Sequence, residues 1–163
     1  MNADQIINLL FNETEKGIDY LKSNKSALEF KTRIGESPLH YCVIENKLEL
    51  VKKLIEIGAN VNTVEMSGAT PLLHSVRINN LEMALLLVNN DASVDLKDNN
   101  GESVVSELVL NNIEDLFYIV LKKCKRPIQY YFSDLDAAEV CDNNKNKIRK
   151  FVIGLGLKNP FDN

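Results

Sequence analysis

Two histidines and three cysteines are the side chains of this sequence best suited to nucleophilic or metal chemistry. His40 and His74 stand 34 residues apart, with no cysteine close enough in sequence to complete a familiar zinc spacing. Cys42, Cys124 and Cys141 are odd in number and form no CxxC pair, which indicates neither a disulfide framework nor a zinc site. Cys42 occupies a small-residue position and reads as a buried thiol rather than a nucleophile; Cys124 and Cys141 read as packing residues. Asp134, Asp136, Glu139 and Asp142 could ligate a divalent ion, but no glycine-centred loop or closing glutamate accompanies them, and a solvated helix face is the preferred reading. Lys145, Lys147, Arg149 and Lys150 form a short basic run near those acids, read as the outer face of a terminal helix before a phosphate contact. Gly154 and Gly156 give only a fragment of a dinucleotide fingerprint. No catalytic group, cofactor or metal is expected. The rival readings are an enzyme accessory with a C-terminal acidic metal site, and nucleic-acid binding through Lys147 and Arg149.

Composition narrows the classes further. The chain has 163 residues, 45% of them apolar and 26% charged, enough to bury a core and too apolar for a disordered segment. Its net charge of −4 argues against nucleic acid or an anionic membrane as the general partner, since either would need cations to neutralise phosphate. The opening MNADQIINLLFNETEKGIDY lacks the basic start and small-residue cleavage site of a secretory leader. No apolar run approaches the roughly 20 residues of a membrane helix. A cytoplasmic, reducing location is expected.

The elements that would position any site are written in repeated units. A shift of 33 places Gly35 on Gly68 and Gly101, Pro38 on Pro71, Leu39 on Leu72, Val43 on Val76, and Asn46 on Asn79. The same shift pairs Leu48 with Leu81, Leu54 with Leu87, Ala59 with Ala92 and Val61 with Val94. One register held over so many positions is an internal repeat. Ser37-Pro38 and Thr70-Pro71 place a hydroxyl N-cap before a proline at the first helical position. A short helix follows, with Leu39, Cys42 and Val43 on one side, then Leu72, Ser75 and Val76. Asn46, Asn79 and Asn112 fall where it should end, and asparagine tolerates the left-handed backbone of many helix C-termini. A second helix puts Leu48, Val51, Leu54 and Ile55, then Leu81, Ala84, Leu87 and Val88, on one buried face. Neither helix could bury that face alone, so neighbouring units must stack.

GESPLHYC…LVKKLIEIGANVN and GATPLLHSV…NNDASVD resemble the ankyrin repeat, with its glycine, Thr-Pro-Leu-His run, two antiparallel helices and Gly-Ala-x-x-Asn close. The fold implied is all-α: an ankyrin-repeat solenoid of stacked helix pairs joined by short β-turn loops, with about three central repeats and degenerate caps. One continuous domain over 1–163 is expected, with an N-terminal capping repeat at 1–34, repeats at 35–67 and 68–100, a divergent repeat at 101–133, and a C-terminal cap and tail at 134–163. In the capping repeat Ile6, Leu9, Ile18, Leu21 and Leu28 fall under Leu39, Cys42, Val51, Leu54 and Val61. The divergent repeat keeps Gly101 and the apolar positions Val105, Leu108, Val109, Phe117, Val120 and Leu121, but ESVV replaces TPLH and Cys124 stands where glycine is expected. The C-terminal cap should hold helices around 135–140 and 147–153, ahead of an irregular tail.

The resemblance also implies a function, non-catalytic binding of a protein partner through a concave groove. The turn tips should present Arg33, Ile34 and Glu36, then Met66 and Ala69, then Asn99, Asn100 and Glu102. The inner helices should add Tyr41, Ile44 and Glu45, then His74, Arg77 and Ile78. His40, in the Thr-Pro-Leu-His position, is expected to hydrogen-bond neighbouring turns. Tyr41, Ile44, Met66 and Ile78 would supply an apolar centre inside a charged rim, the arrangement in which interfaces concentrate their energy. A finer alternative is an immunity or inhibitor protein that neutralises a cognate toxin or effector by the same surface. The chain is expected to be a monomer when free.

Overall fold

A computed structural model describes residues 1–111 and 113–125, together with 146, 149, 150, 153, 154 and 156. The C-terminal helices expected around 135–140 and 147–153, the acidic residues Asp134, Asp136, Glu139 and Asp142, and Cys141, Lys145 and Lys147 lie outside the described residues, or mostly so. The chain divides into two units, Met1–Ser93 and Val94–Asn163.

The first unit is three helix pairs: α1 (Ala3–Asn12) with α2 (Thr14–Ser23), α3 (Pro38–Ile44) with α4 (Leu48–Glu56), and α5 (Pro71–Arg77) with α6 (Leu81–Asn89). A 3-10 turn, Lys25–Glu29, follows α2. Helices of seven to ten residues are too short to persist on their own, so the contacts between pairs stabilise them. Those contacts run α1 to α3 to α5 along one row and α2 to α4 along the other. Ile6, Leu10, Leu21, Leu39, Cys42, Val43, Val51, Leu54, Leu72, Val76, Ala84, Leu87 and Val88 are almost fully removed from water between them.

In the second unit α7 (Val104–Leu110) packs on α8 (Glu114–Leu121), burying Val105, Leu108, Val109, Leu116, Phe117 and Val120. An antiparallel bridge, Lys97 to Ser103, closes the turn ahead of α7.

Each inner helix starts from the expected cap. Ser37 and Thr70 accept from the N–H three residues on, His40 and Leu73, with Pro38 and Pro71 inside the first turn. At 103–106, where SVVS stands in place of the Thr-Pro-Leu-His run, Ser103 takes the cap, and Ser106 stands where His40 stands two periods earlier. Its hydroxyl accepts from Ser103 N–H at 2.8 Å and donates to Ser103 O at 2.8 Å. Two serines thus reproduce locally the reciprocal bonding that Ser37 and His40 make. Asn46 and Asn79 have φ of 55° and 54°, the left-handed conformation their positions call for; Asn112 lies outside the described residues. The outer helices α4 and α6 turn out at Gly58 and Asp91, with φ of 97° and 62°. At the third such end Cys124 N–H bonds to Leu121 O at 3.3 Å, and Lys125 N–H turns to Asp95 Oδ1 at 3.2 Å. That end is built differently, as the missing glycine suggests.

Several details differ from the periodic reading; Ile55, expected on the buried face of α4, is half-buried. Leu48 is half-buried and Leu81 is 39% exposed, while Leu50 and Met83 are buried instead. Each misplaced leucine is the first residue of its helix. Leu9 is half-buried whereas its 33-residue counterpart Cys42 is fully buried, because α3 receives helices on two sides and α1 on one.

Candidate binding surface

Three turns of one design project between helix pairs. Gly35 N–H donates to Thr32 O at 3.0 Å, Gly68 N–H to Glu65 O at 2.9 Å, and Gly101 N–H to Asp98 O at 3.0 Å. All three glycines have φ between 78° and 85°, where a Cβ is strained. At Gly35 there is a second reason for glycine: a Cβ would lie 2.7 Å from Met66 N. That close approach lets Met66 N–H donate to Ile34 O at 3.2 Å, joining the first tip to the second. Lys31 adds to the junction through its ammonium, which bonds Thr63 Oγ1 and Val64 O.

The predicted surface residues of the first unit divide by exposure. Ile34 and Met66 stand out, 56% and 70% exposed on adjoining tips, and Ile78 is 43% exposed at the end of α5. Arg33 and Glu45 are exposed; Glu36, Tyr41, Ile44, His74 and Arg77 are half-buried. Tyr41 is tied down by an edge-on contact with Phe11 of α1, ring centroids 5.4 Å apart. Ala69 is not a surface residue. It is completely buried next to the Thr70 cap, and its carbonyl accepts from His40 Nε2 at 3.1 Å. Glu36 and Glu102, one past their own tip glycines, stay half-buried, so full burial at this position is particular to the small Ala69 side chain. In the second unit Asn99 and Asn100 are exposed on their turn and Glu102 is half-buried.

His40 has both ring nitrogens committed. Ser37 N–H reaches Nδ1 at 3.3 Å, which makes Nδ1 the acceptor and assigns the proton to Nε2, donated to Ala69 O. Burial pushes its pKa down to about 4, so the ring is neutral and unavailable as a base at neutral pH. Its expected role, a bond to the neighbouring turn, is what the geometry shows.

His74 lies half-buried with its ring 6.0 Å from that of His40 and its Nε2 3.9 Å from Glu65 Oε1. Nε2 is buried without a hydrogen bond, and burial lowers the pKa of the ring. Burial works against the Glu65 carboxylate, yet the Ser67 hydroxyl and N–H hold it below its ordinary value. Glu36 is pushed the other way by its burial and by the charge of Glu65. Burial raises the fully buried Cys42 thiol to about 12. Among the described residues no group of three or more histidine, cysteine or acidic side chains is arranged to hold a metal ion. None of their helices is long and apolar enough to cross a membrane.

Two features were missed by sequence reasoning. Phe30 and Val64 add exposed apolar surface on the approach to the first two tips, 38% and 47% exposed. The alternation of extended residues there was too short to show which would face out. A groove of about 550 Å³ also lies between the α1–α2 turn and the start of α4, lined by Leu10, Phe11, Lys47 and Leu48 among others. Lys47 stands 5.6 Å from the centre of the Phe11 ring. Phe11 belongs to the degenerate first repeat, where its counterpart one period on is Ile44.

Comparison with known proteins agrees with this architecture. The family model "Ankyrin repeats (3 copies)" matches residues 2–98. Relatives include transient receptor potential cation channel subfamily A member 1 of Homo sapiens, 35% identical over 94 residues, or 57% of this chain and 8% of the channel subunit. Ankyrin repeat protein OPG189 of Variola virus is 35% identical over 89 residues, 54% of this chain and 15% of that protein. The B-cell lymphoma 3 protein homolog of Mus musculus is 34% identical over 89 residues, 54% of this chain and 20% of that protein. The chain therefore spans a fifth or less of the length of these relatives.

Proposed function

Because the chain belongs to the ankyrin repeat family, whose repeats generally mediate protein–protein interaction without catalysis, we propose that it binds a protein partner through its turn tips and inner helices. One observation carries this reading. Ile34 and Met66, the most exposed large apolar side chains of the first unit, sit on adjoining tips fixed to each other by a main-chain hydrogen bond. Side chains held in place before the partner arrives lose little freedom on binding, so their apolar area contributes more of its worth to affinity. Ile78, Arg33, Glu36, Glu45 and Arg77 would surround that centre, with Tyr41 and Ile44 contributing their uncovered edges. In the second unit, taken by itself, Asn99, Asn100 and Glu102 would be the contacts of the corresponding turn.

The test is affinity capture from the native cell with wild type and with Met66→Ala combined with Ile78→Ala. The double variant should keep the wild-type circular dichroism spectrum and lose most of the captured partner. Unchanged recovery at unchanged affinity would show that this face is not the binding surface. Neutralisation of a toxin or effector enzyme is the finer form of the same reading. It requires that the captured protein have an activity that wild type abolishes and the double variant spares. We place the chain in the cytoplasm, as a monomer when free; sedimentation of the purified protein checks the latter.

A further inference from the structure

The third turn tip departs from the other two at one chemically active position. The residue before the tip glycine is Ile34 in the first turn and Ser67 in the second, and in the third it is Asn100, which is exposed. An asparagine followed by glycine is the pairing in which the next main-chain nitrogen reaches the side-chain amide with least obstruction, because glycine has no Cβ. We propose that Asn100 is a site of spontaneous deamidation, and that the turn held by Asp98 sets its rate.

In this reaction the Gly101 nitrogen gives up its proton and bonds to Cγ of Asn100. The Cγ–Nδ2 bond breaks and ammonia leaves, closing a five-membered succinimide. Water then adds to one of the two ring carbonyls. Cleavage of the new N–Cγ bond gives aspartate, and cleavage of the original peptide bond gives isoaspartate. Water is the only co-reactant, and nothing is oxidised or reduced.

The fold acts as a brake on the first step. Gly101 N–H, whose nitrogen is the nucleophile, donates to Asp98 O at 3.0 Å. The carboxylate of Asp98, only 7% exposed, accepts at Oδ1 from Asn100 N–H at 2.9 Å and from Glu102 N–H at 3.0 Å. Gly101 is fixed at φ 78°, and the Lys97–Ser103 bridge closes the turn behind it. With its N–H committed to Asp98 O, the Gly101 nitrogen must give up that bond before it can lose its proton and attack, so the reaction runs from the opened turn. The observed rate is then the open fraction multiplied by the rate in a free chain. Either product adds one negative charge to a tip that already carries Asp98 and Glu102. Isoaspartate also inserts an extra carbon into the main chain of a turn held by three bonds to Asp98, and because ammonia has left, the change runs one way. This inference is independent of the binding proposal.

The experiment incubates the full chain at neutral pH and follows residue 100 by peptide mapping with isoaspartate detection, beside a synthetic peptide of residues 95–105. Conversion should occur at Asn100, faster in the peptide than in the folded chain. Asp98→Ala should accelerate it about tenfold, because a buried acceptor serving two N–H groups is lost. Gly101→Ala should suppress it. Equal rates in wild type and Asp98→Ala, or no conversion at Asn100 in wild type while the peptide converts, would overturn the proposal. If Asp98→Ala loses its helical signal, the comparison of wild type with peptide decides, and equal rates there would also refute it.

Discussion

Acidification should weaken this protein through His40, and the size of the effect follows from its environment. The unfolded ring takes its proton near 6.5, whereas burial pushes the folded one down to about 4. A histidine kept neutral by the fold binds protons more readily when unfolded. Its contribution is therefore fully present above the unfolded value and is lost as pH falls through the window toward the folded value. At about pH 5, roughly 1.5 pH units below the unfolded value and still above the folded one, the loss is about 2 kcal/mol. That is a sizeable fraction of the stability of a small domain. His74 is displaced in the same direction, and Glu36 in the opposite sense to Glu65, so the wild-type curve alone does not isolate the ring. His40→Gln does. The assay is urea unfolding by circular dichroism at about pH 8 and about pH 5 for both proteins. The variant starts lower by about 1–3 kcal/mol, since Ser37 N–H and Ala69 O lose their partner. Between the two pH values wild type should lose about 2 kcal/mol more than the variant. Parallel losses would mean that the imidazole is not held neutral between Ser37 and Ala69, and the account of the inter-turn bond would fall with it.

Other perturbations separate effects that the turns combine. Gly35→Ala should cost more than Gly58→Ala in thermal or urea unfolding. Both have positive φ, at about 1 kcal/mol each, but only at Gly35 would the Cβ strike Met66 N; at Gly58 it meets open space. Equal costs would deny the close approach of the first two tips. Ser103→Ala should destabilise by about 1 kcal/mol, the usual worth of an N-cap, and more because the buried Ser106 N–H loses its acceptor. Cys42, buried and held as the thiol, should resist alkylation in the folded protein at about pH 8 and react fully in urea. Native-state labelling of Cys42 as fast as in urea would contradict its placement.

Much of the fold could be read from the sequence because its determinants are local. Gly35, Gly68 and Gly101 mark backbone angles that other residues resist, and Ser37, Thr70 and Ser103 mark helix starts by bonding three residues ahead. Such features depend on near neighbours, and a period repeats them. What escaped detection depends on where two segments meet. Ala69 sits beside exposed Met66 in the pattern, yet its small side chain is fully buried. Leu48 and Leu81 match the apolar period but are the first residues of their helices and stay partly exposed. The approach of His74 to Glu65 joins an inner helix to its own turn across nine positions with no periodic relation, and only coordinates reveal it. The partial burial of Tyr41 comes from Phe11, in the repeat whose motif has decayed most.

The bonds that tie one helix pair to the next have a common reach along the chain. Lys31 to Val64, His40 to Ala69, Asn62 to Asp91 and Ser93 to Asn62 all join residues 29 to 33 apart. The molecule is thus written in interchangeable paragraphs. Excising residues 35–67 would bring Ile34 directly before Gly68, restoring a turn of the same grammar, whereas a cut of any other size would break the register at the seam. Gain or loss of one whole period is the change in length that this fold absorbs most readily, and it would redraw the row of tips without redesigning any one of them.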